Sequence, residues 1–517
     1  MNRKVFDVFS DNIVKIFPHG LPRRVGISLS GGVDSMALTS LLSRYRDEYN
    51  VGVEIVALTV NHEYRKGSRQ EAEEVGKLVA PLNVQHKIID LKWNLDSVEL
   101  HQLGNFERLA RTKRYQHIQK YCYDYDIQHL FLGHQLEDQV ETFLLRLKQN
   151  STIFGMRCMK DISSYPSLPL YPSSVKPPIK IVRPMLNIRK KDIYSYCREL
   201  EVPWFEDHTN TDSSLTFRNL MRSVYQKGDI IIPKTLTQQH ILQVISEIES
   251  FQQSIYSSLE ELRHELNRLG QIWYDPATFR LSLLLSGQIL KRYHPLVINR
   301  FFYEECYKIS PLKSYHYKFT NLDVESAWVK SKSTRSIYSI LKRVVFGKGH
   351  PEKFSLLKLN WEISSYKDLG SDCVNVSISA AKYHANQPLP MIELALGHNN
   401  EWSEWVFFDN RCWIRIKTTD EFPIFGHATI KIVPYVPKLH STAYNMFMES
   451  QPGNCLPNKI LTNIPVLLLD DLSVTGKILG LPSLGMIDTY WKNRIQVEFI
   501  PKNEFDQISS RKSISSN

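Results

Sequence analysis

The stretch RVGISLSGGVDSMALTSLL, residues 24–42, constrains this chain more than any other. A short apolar run ends at Ser30-Gly31-Gly32, passes Asp34-Ser35 and enters a helical pattern. A strand-loop-helix of this kind points successive backbone N–H groups at whatever sits over the helix N-terminus. The helix dipole also favours an anion there. Gly31 and Gly32 permit a close approach and unusual dihedrals. The hydroxyls of Ser28, Ser30 and Ser35 add donors. Asp34 is costly in an anion site unless it holds a cation, and magnesium bridging phosphates is the obvious one. The plainer alternative is a tight turn whose Ser or Asp only caps the helix. The spacing is not that of the Walker loop, which needs Gly-x-x-x-x-Gly-Lys-Ser/Thr.

The surrounding pattern makes this one unit of a larger α/β fold. Apolar runs at 24–30, 53–61, 84–91, 129–133 and 179–184 alternate with helical stretches, as in a mostly parallel, doubly wound sheet covered on both faces. Ser68 followed by Glu71 reads as a capping box, and Asn105 as a cap for the helix from Phe106. Residues 163–178 are a Pro/Ser-rich loop. From about 230 to 305 the pattern is helical, with Gly270 as a C-terminal cap. Runs at 404–417, 428–435 and 464–470 read as strands of a mixed α/β region, and the tail from Ser509 as disordered. The expected domains are therefore 1–225, catalytic; 226–310, helical; and 311–517, C-terminal, with room for two subdomains.

Composition narrows the partners. Of 517 residues, 42% are hydrophobic, enough for more than one core. Lys and Arg exceed Asp and Glu by 64 to 54, which favours a polyanionic partner such as nucleic acid. The seven cysteines are scattered, with no Cys-x-x-Cys pair, which argues against a disulfide framework or a clustered zinc site. No apolar run approaches the ~20 residues of a membrane span. The first 24 residues carry Arg3, Lys4, Lys15, Arg23 and Arg24 against Asp7 and Asp11. A mitochondrial location is the expectation, with the cytoplasm as the alternative.

Further motifs follow in order. They are Asn61-His62-Glu63-Tyr64-Arg65; Phe106-Glu107-Arg108-Leu109-Ala110-Arg111 with Arg114-Tyr115; and His134-x-x-Glu137-Asp138-Gln139-x-Glu141-Thr142. Then come Arg183-Pro184-Met185-Leu186, Trp204-Phe205-Glu206-Asp207 and Arg218-Asn219-Leu220-Met221-Arg222. The Ser-Gly-Gly-x-Asp-Ser loop resembles that of the ATP pyrophosphatases, or PP-loop proteins. The full series, over about residues 20–225, resembles the tRNA(Ile)-lysidine synthetases. Weaker similarity lies at Phe408-Asp409-Asn410-Arg411-Cys412-Trp413 and within 464–486.

That resemblance implies a two-step ligase reaction on a CAU-anticodon isoleucine tRNA. ATP adenylates carbon-2 of the wobble cytidine, releasing pyrophosphate; free lysine then displaces AMP to give lysidine. It implies an ATP site at Ser28, Ser30, Gly31, Gly32, Val33, Asp34, Ser35, His62 and His134. It implies catalytic roles for Asp34, Asp138, Glu141 and Arg114, with Asp34 and Asp138 as magnesium ligands.

The residues fit independently. Asp138 and Glu141 share one helix face, suited to magnesium or the ammonium groups of lysine, although acidic residues also simply favour a helix N-terminus. Glu107, Arg111 and Arg114 share another face; an arginine fork suits the adenylate phosphate, whereas Glu107–Arg111 can also be a plain helix pair. His62 and Arg65 end the second strand at the ligand edge of the sheet. Arg218 and Arg222 lie four apart, placed for tRNA or AMP phosphates or for a solvated face. One departure from the family is Glu137, where an Asp is usual. Its extra methylene shifts the carboxylate and leaves Asp138 the better metal ligand. The insertion at 163–178 is another.

Between 311 and 350, Lys313, Lys318, Lys330, Lys332, Arg335, Lys342, Arg343 and Lys348 are interleaved with aromatic residues. Lysine and arginine on phosphates, with aromatic stacking on unpaired bases, is common chemistry for RNA binding. Lys342 and Arg343 are the tRNA candidates here. Two rival readings stand beside this one. A PP-loop tRNA thiolase would use paired cysteines or a metal cluster, for which no spacing exists here. An inactive tRNA-binding scaffold would not need the intact loop with Asp138 and Glu141.

Overall fold

The computed structural model describes residues 2–49, 51–61, 67–91, 106–206, 221, 224–225, 233–312, 337–347, 350–366, 372–383, 387–395, 400–421, 429–449, 451, 455–470 and 477–502. The chain divides into two compact units. One comprises 1–169 with 177–252, the other 170–176 with 253–517. The division falls inside the long helix Gln238–Arg268.

In the first unit the expected apolar runs become β1 (Arg24–Ser28), β2 (Glu54–Asn61), β3 (Gln85–Asp90), β4 (His129–Phe131) and β6 (Lys180–Val182). A short β5 (Ile162–Ser164) precedes β6. The sheet order is β3-β2-β1-β4-β6-β5. All pairs are parallel except β5 with β6. The interleaved helices are α1 (Asn2–Ile16), α2 (Val33–Glu48), α3 (Ser68–Val79), α4 (Phe106–Asp124), α5 (Leu136–Lys148) and α6 (Lys190–Glu199). β5 falls at the start of the Pro/Ser-rich stretch, where proline and serine content hid a strand of only three residues.

Two cores cover the two faces of the sheet. One joins Val5, Phe6, Phe9 and Ile13 of α1 to Val25, Ile27, Met36, Leu38, Leu41 and Leu42. Each such side chain contributes about 1.5–3 kcal/mol by leaving water. The basic N-terminal stretch is thus built into the domain through the apolar face of α1. The other core joins Val56, Leu58, Tyr115, Ile118, Leu130 and Ile181. Helix α2 is buried nearly all round, so its hydroxyls need internal partners. Thr39 donates to the Ser35 carbonyl at 2.8 Å and Ser43 to the Leu82 carbonyl at 2.9 Å.

The head of α3 differs from expectation. Its N-cap is Gly67, at φ +92°, with no side-chain cap. Ser68 Oγ instead donates to Asn61 Oδ1 at 2.7 Å, and Asn61 donates to Asp90 Oδ1 at 2.9 Å. The hydroxyl is drawn to the buried Asn61 at the end of β2 rather than to its own helix. Asn105 lies outside the described residues.

The second unit is built on antiparallel sheets. β7 (Ile272–Asp275) and β8 (Arg280–Ser286) form a hairpin. They continue through β11 (Cys373–Ala380) and β10 (Leu359–Tyr366) to β9 (Glu352–Leu356). The stretch 226–310 is therefore not helical throughout. The alternation in RLSLLLS, with every second residue buried, gives β8 its strand character. Gly270 does close the preceding helix, at φ +62°. α7 (Pro295–Ile309) and α8 (Ile337–Phe346) belong to this unit. Beyond them come β12 (Ile392–Ala395), β13 (Val406–Phe408), β14 (Cys412–Thr418), β15 (Thr429–Pro434), β16 (Pro465–Asp470), β17 (Lys477–Leu481), β18 (Met486–Ile487) and β19 (Ile495–Pro501). Among the described residues these form two sheets, β12-β15-β16-β17-β18 and β13-β14-β19. Among the described residues no helix is long and apolar enough to cross a membrane.

Candidate active site

From β1 the chain passes to β2 and β3 on one side, then returns to β4 on the other. The order reverses between β1 and β4. In an open α/β sheet, ligands bind at the carboxyl ends of the strands flanking such a reversal. The loop from Ser28 to Ser35 leaves β1 there, and Gly133 and His134 leave β4 there.

The loop is internally fixed. Ser30 N–H donates to Ser35 Oγ at 3.2 Å, the Ser30 and Ser35 hydroxyl oxygens lie 3.2 Å apart, and Ser35 Oγ donates to the Gly32 carbonyl at 3.0 Å. Ser35 thus holds the loop to its own helix. Gly31 is at φ +83°, and a Cβ there would stand 2.7 Å from Val75 Cγ2. Its carbonyl accepts from Phe205 N–H at 2.9 Å. Gly32 is the N-cap of α2, in extended conformation and without a side-chain cap. A backbone turn so held leaves N–H groups at the start of α2, the donor set that suits a phosphate.

Asp34 lies in the first turn of α2. Its Oδ2 is 2.5 Å from Lys190 Nζ, at the head of α6. The end of β4 presses against the same turn: a Cβ on Gly133 would stand 2.9 Å from both the carbonyl carbon and oxygen of Asp34. Below them Cys197 is buried, and burial pushes its thiol up to about 12. The Asp34 charge adds to that and Lys190 opposes it.

His134 follows Gly133, and its Nδ1 accepts from Arg183 Nε at 3.3 Å. That contact assigns the imidazole proton to Nε2 in the neutral ring. Arg183 also donates to the Lys160 carbonyl at 3.0 Å and to Ser163 Oγ at 2.9 Å, which explains the value of β5. Burial, with nearby Arg111, lowers the Arg183 pKa against the raising effects of Tyr115 and Asp161. Arg111 and Arg114 flank the Tyr115 ring, at 5.0 and 5.5 Å. The arginine face of α4 therefore neighbours the His134 edge.

The acidic residues of α5 take distinct places. Asp138 Oδ2 accepts from Gln135 N–H at 3.0 Å, and Gln135 Oε1 accepts from Glu137 N–H at 2.6 Å, completing a capping box. Glu137 Oε2 accepts from the backbone N–H of Lys190 at 2.9 Å. Glu141 is buried one turn further on. Among the described residues no three His, Cys, Asp or Glu side chains converge into a metal cage. Magnesium carried between phosphates and one or two carboxylates needs no such cage.

The carboxyl ends of β1 and β4 thus carry Ser28, Ser30, Gly31, Gly32, Val33, Asp34 and Ser35 on one side and His134 with the α5 head at Asp138 on the other, while Glu141 lies one turn further along α5. Lys342 and Arg343 lie on α8 in the second unit, both exposed, with Arg343 paired to Glu352. His62, Arg65, Arg218, Arg222 and the run 313–336 lie outside the described residues. Lys190, Gly133, Gln135 and the contact of Arg183 with His134 were not anticipated from sequence.

A nucleotide loop at the reversal point of a parallel sheet defines the class: residues 7–227 match the family model of the PP-loop domain. The chain is 26% identical over 486 residues to the probable tRNA(Ile)-lysidine synthase of Schizosaccharomyces pombe, covering 92% of this chain and 94% of that protein. It is 28% identical over 269 residues to tRNA(Ile)-lysidine synthase of Wolbachia pipientis wMel, covering 51% and 58%. Among solved structures, the U34-tRNA thiolase NcsA from Methanococcus maripaludis with its [4Fe-4S] cluster matches at 16% identity and a TM-score of 0.37, over 48% of this chain and 80% of that one. Residues 7–227 thus carry a PP-loop domain, and over most of its length the chain is similar to a probable tRNA(Ile)-lysidine synthase.

Proposed function

We propose that this chain uses ATP to activate carbon-2 of the wobble cytidine in a CAU-anticodon isoleucine tRNA and joins lysine to it. The observation that carries the reading is the fixed Ser30–Ser35 loop beside His134 and the acidic turn of α5, where the strand order reverses between β1 and β4. The family matches support the tRNA substrate class.

In the first step the cytidine O2 attacks the α-phosphorus and the bond to the β-phosphate breaks, releasing pyrophosphate. The loop N–H groups and α2 dipole hold the phosphates. His134, protonated at Nε2, offers a donor to the same ligand, and Arg111 or Arg114 offers charge to the adenylate. Magnesium entering with ATP would supply charge neutralisation on the phosphates, and Asp34 and Asp138 are the residues that would hold it. In the second step a lysine amine attacks carbon-2 and AMP leaves with the former O2. Asp138 and Glu141 hold the amino acid's ammonium groups. Lys342, Arg343, Arg218, Arg222, Arg65 and His62 are candidates for tRNA or nucleotide contact. A mitochondrial site of action belongs to the same proposal and is tested by locating the tagged chain in fractionated cells.

The test is incorporation of radiolabelled lysine into a CAU-anticodon isoleucine tRNA transcript with ATP and magnesium. Label entering that transcript, but neither a wobble-uridine version nor methionine tRNA, and lost in Asp34→Ala, is the expected result. Pyrophosphate release without lysine transfer would retain adenylation and reject lysine as the nucleophile. Neither signal from a folded, tRNA-binding chain would support the scaffold reading.

A further inference from the structure

The Pro/Ser-rich stretch does not begin as a loop. Its first residues belong to β5, which closes one edge of the first sheet. The strand pairs antiparallel with β6, Ile162 opposite Val182, Ser163 opposite Ile181 and Ser164 opposite Lys180. Burial alternates along it. Ile162 and Ser164 are exposed, Ser163 is half-buried, and Tyr165, just past the strand, is buried. Residues two apart in extended chain face the same way, so Ser163 and Tyr165 both turn inward.

Each reaches a different part of the candidate site. Tyr165 Oη donates to the Tyr115 carbonyl of α4 at 2.7 Å, and the two rings meet edge-on at 5.6 Å. Tyr115 is the ring that Arg111 and Arg114 flank. Burial keeps the Tyr165 phenol protonated, far above its usual range, against the lowering effect of Arg114. The hydroxyl is therefore a permanent donor to α4. Ser163 Oγ accepts from Arg183 Nη1 at 2.9 Å, and Arg183 Nε donates to His134 Nδ1. The Arg183 backbone N–H is held as well, by the Asp161 carbonyl at 2.8 Å.

We propose that β5 with Tyr165 is a brace for the reacting centre, in which Tyr165 positions the Arg111–Arg114 face and Ser163 positions His134 through Arg183. The proposal rests on the ATP reading above and adds two positioning residues that the reading does not use. Neither touches substrate. Both hold charge and hydrogen-bond donors where negative charge develops on the α-phosphate, and a shift of about 1 Å in such groups costs up to about a hundredfold in rate. The nucleotide loop is fixed by its own bonds between Ser30, Gly32 and Ser35. Ground-state binding of ATP therefore does not depend on the brace.

Pyrophosphate release with the CAU-anticodon isoleucine transcript, measured beside the calorimetric affinity for α,β-methylene-ATP with magnesium, tests this. Tyr165→Phe keeps the ring in its core and removes only the donor; kcat should fall about tenfold, with analogue affinity within about twofold of wild type. Ser163→Ala should lower kcat about fivefold, the worth of one lost hydrogen bond, and Ser163→Thr, which keeps the hydroxyl, should restore it to within about twofold. Ile162→Thr, on the exposed side of the same strand, should change neither quantity. If Tyr165→Phe melts early, the Ser163→Ala and Ser163→Thr pair, at a half-buried position, decides by itself. Unchanged kcat in the first two variants, or a loss of analogue affinity as large as the loss of kcat, would overturn the brace. Wild-type chain that binds the analogue but releases no pyrophosphate with this tRNA would overturn the reading of the reaction, and the brace with it. Wild-type activity beside unaffected variants would overturn the brace alone.

Discussion

Each unit contains an aspartate paired with a cation, and the two pairs are built oppositely. In the first unit, Asp34 meets Lys190 at a sheet edge, each side chain 29% exposed. In the second, Asp409 meets Arg411 where they are 6% and 1% exposed. The buried pair is woven into its surroundings. Tyr383 donates to Asp409 Oδ1 at 2.6 Å, Arg411 donates to the Asn463 carbonyl at 2.6 Å, and the guanidinium stacks 4.5 Å over Phe279. Asp409 and Asn410 both adopt positive φ, at 48° and 54°, to make the turn between β13 and β14. This pair is enclosed, and both its members have further polar partners, although Arg411 Nε and Nη1 make no hydrogen bond among the described residues. The Asp34–Lys190 pair instead lies at an opening.

The largest effect expected from this contrast is at Asp409. Asp409→Ala would strand a buried guanidinium, and removing one member of such a pair costs about 3–5 kcal/mol. Urea unfolding followed by tryptophan fluorescence measures it, since Trp361, Trp405 and Trp413 all report on this unit. A cost under about 1 kcal/mol would break the distinction between the pairs.

Gly133→Ala comes next. The new methyl would meet the backbone of Asp34, which cannot rotate away as a side chain can. Overpacking of this kind costs about 1–3 kcal/mol. Because it displaces the loop itself, ATP-dependent activity should fall further than stability does. Unchanged kinetics with an unchanged melting temperature would show that β4 does not brace the loop.

Acid should act on both units more gently. His86 and His129 in the first, and His440 in the second, are held below the usual 6.5 by burial, with Lys180 assisting at His129. The unfolded chain therefore binds protons that the folded chain resists. Stability is full above about 6.5 and declines as pH falls through that value toward the lower folded-state values. Melting temperature measured from pH 7.5 to 5 should drop. His86→Gln should flatten part of that slope if the first unit contributes.

What the sequence made legible follows from where the information resides. Parallel strands buried on both faces read as short apolar runs, so β1, β2, β3, β4 and β6 could be placed from residue types alone. The loop was legible because Ser30 to Ser35 is contiguous. Lys190 was not, because its meaning comes from a partner 156 positions away and its local setting is an ordinary helix start. Gly133 looked like any strand-end glycine until the α2 backbone was seen beside it. Arg183 stood in a recognised motif but acquired a role only from its contact with His134. The β7–β8 hairpin was hidden by the strong helical pattern before it. Ser68 shows the reverse error: a local capping pattern lost to the tertiary partner Asn61.

Asp34→Asn should have the smallest effect on stability, and that smallness is what the comparison requires. Lys190 would lose its ion pair but remain open to water, and a partly exposed pair contributes only about 0–1 kcal/mol. The asparagine would still fit the first turn of α2 and still leave Gly133 its close approach. Lysine incorporation should nevertheless be abolished within the sensitivity of the assay, because the amide carries no charge for a cation and returns none to the lysine. Unfolding midpoints within about 1 kcal/mol of wild type, beside lost activity, would separate the chemistry of this edge from the stability of its unit. A destabilisation approaching that of Asp409→Ala would mean instead that Asp34 and Lys190 hold α2 to α6 as a structural clasp.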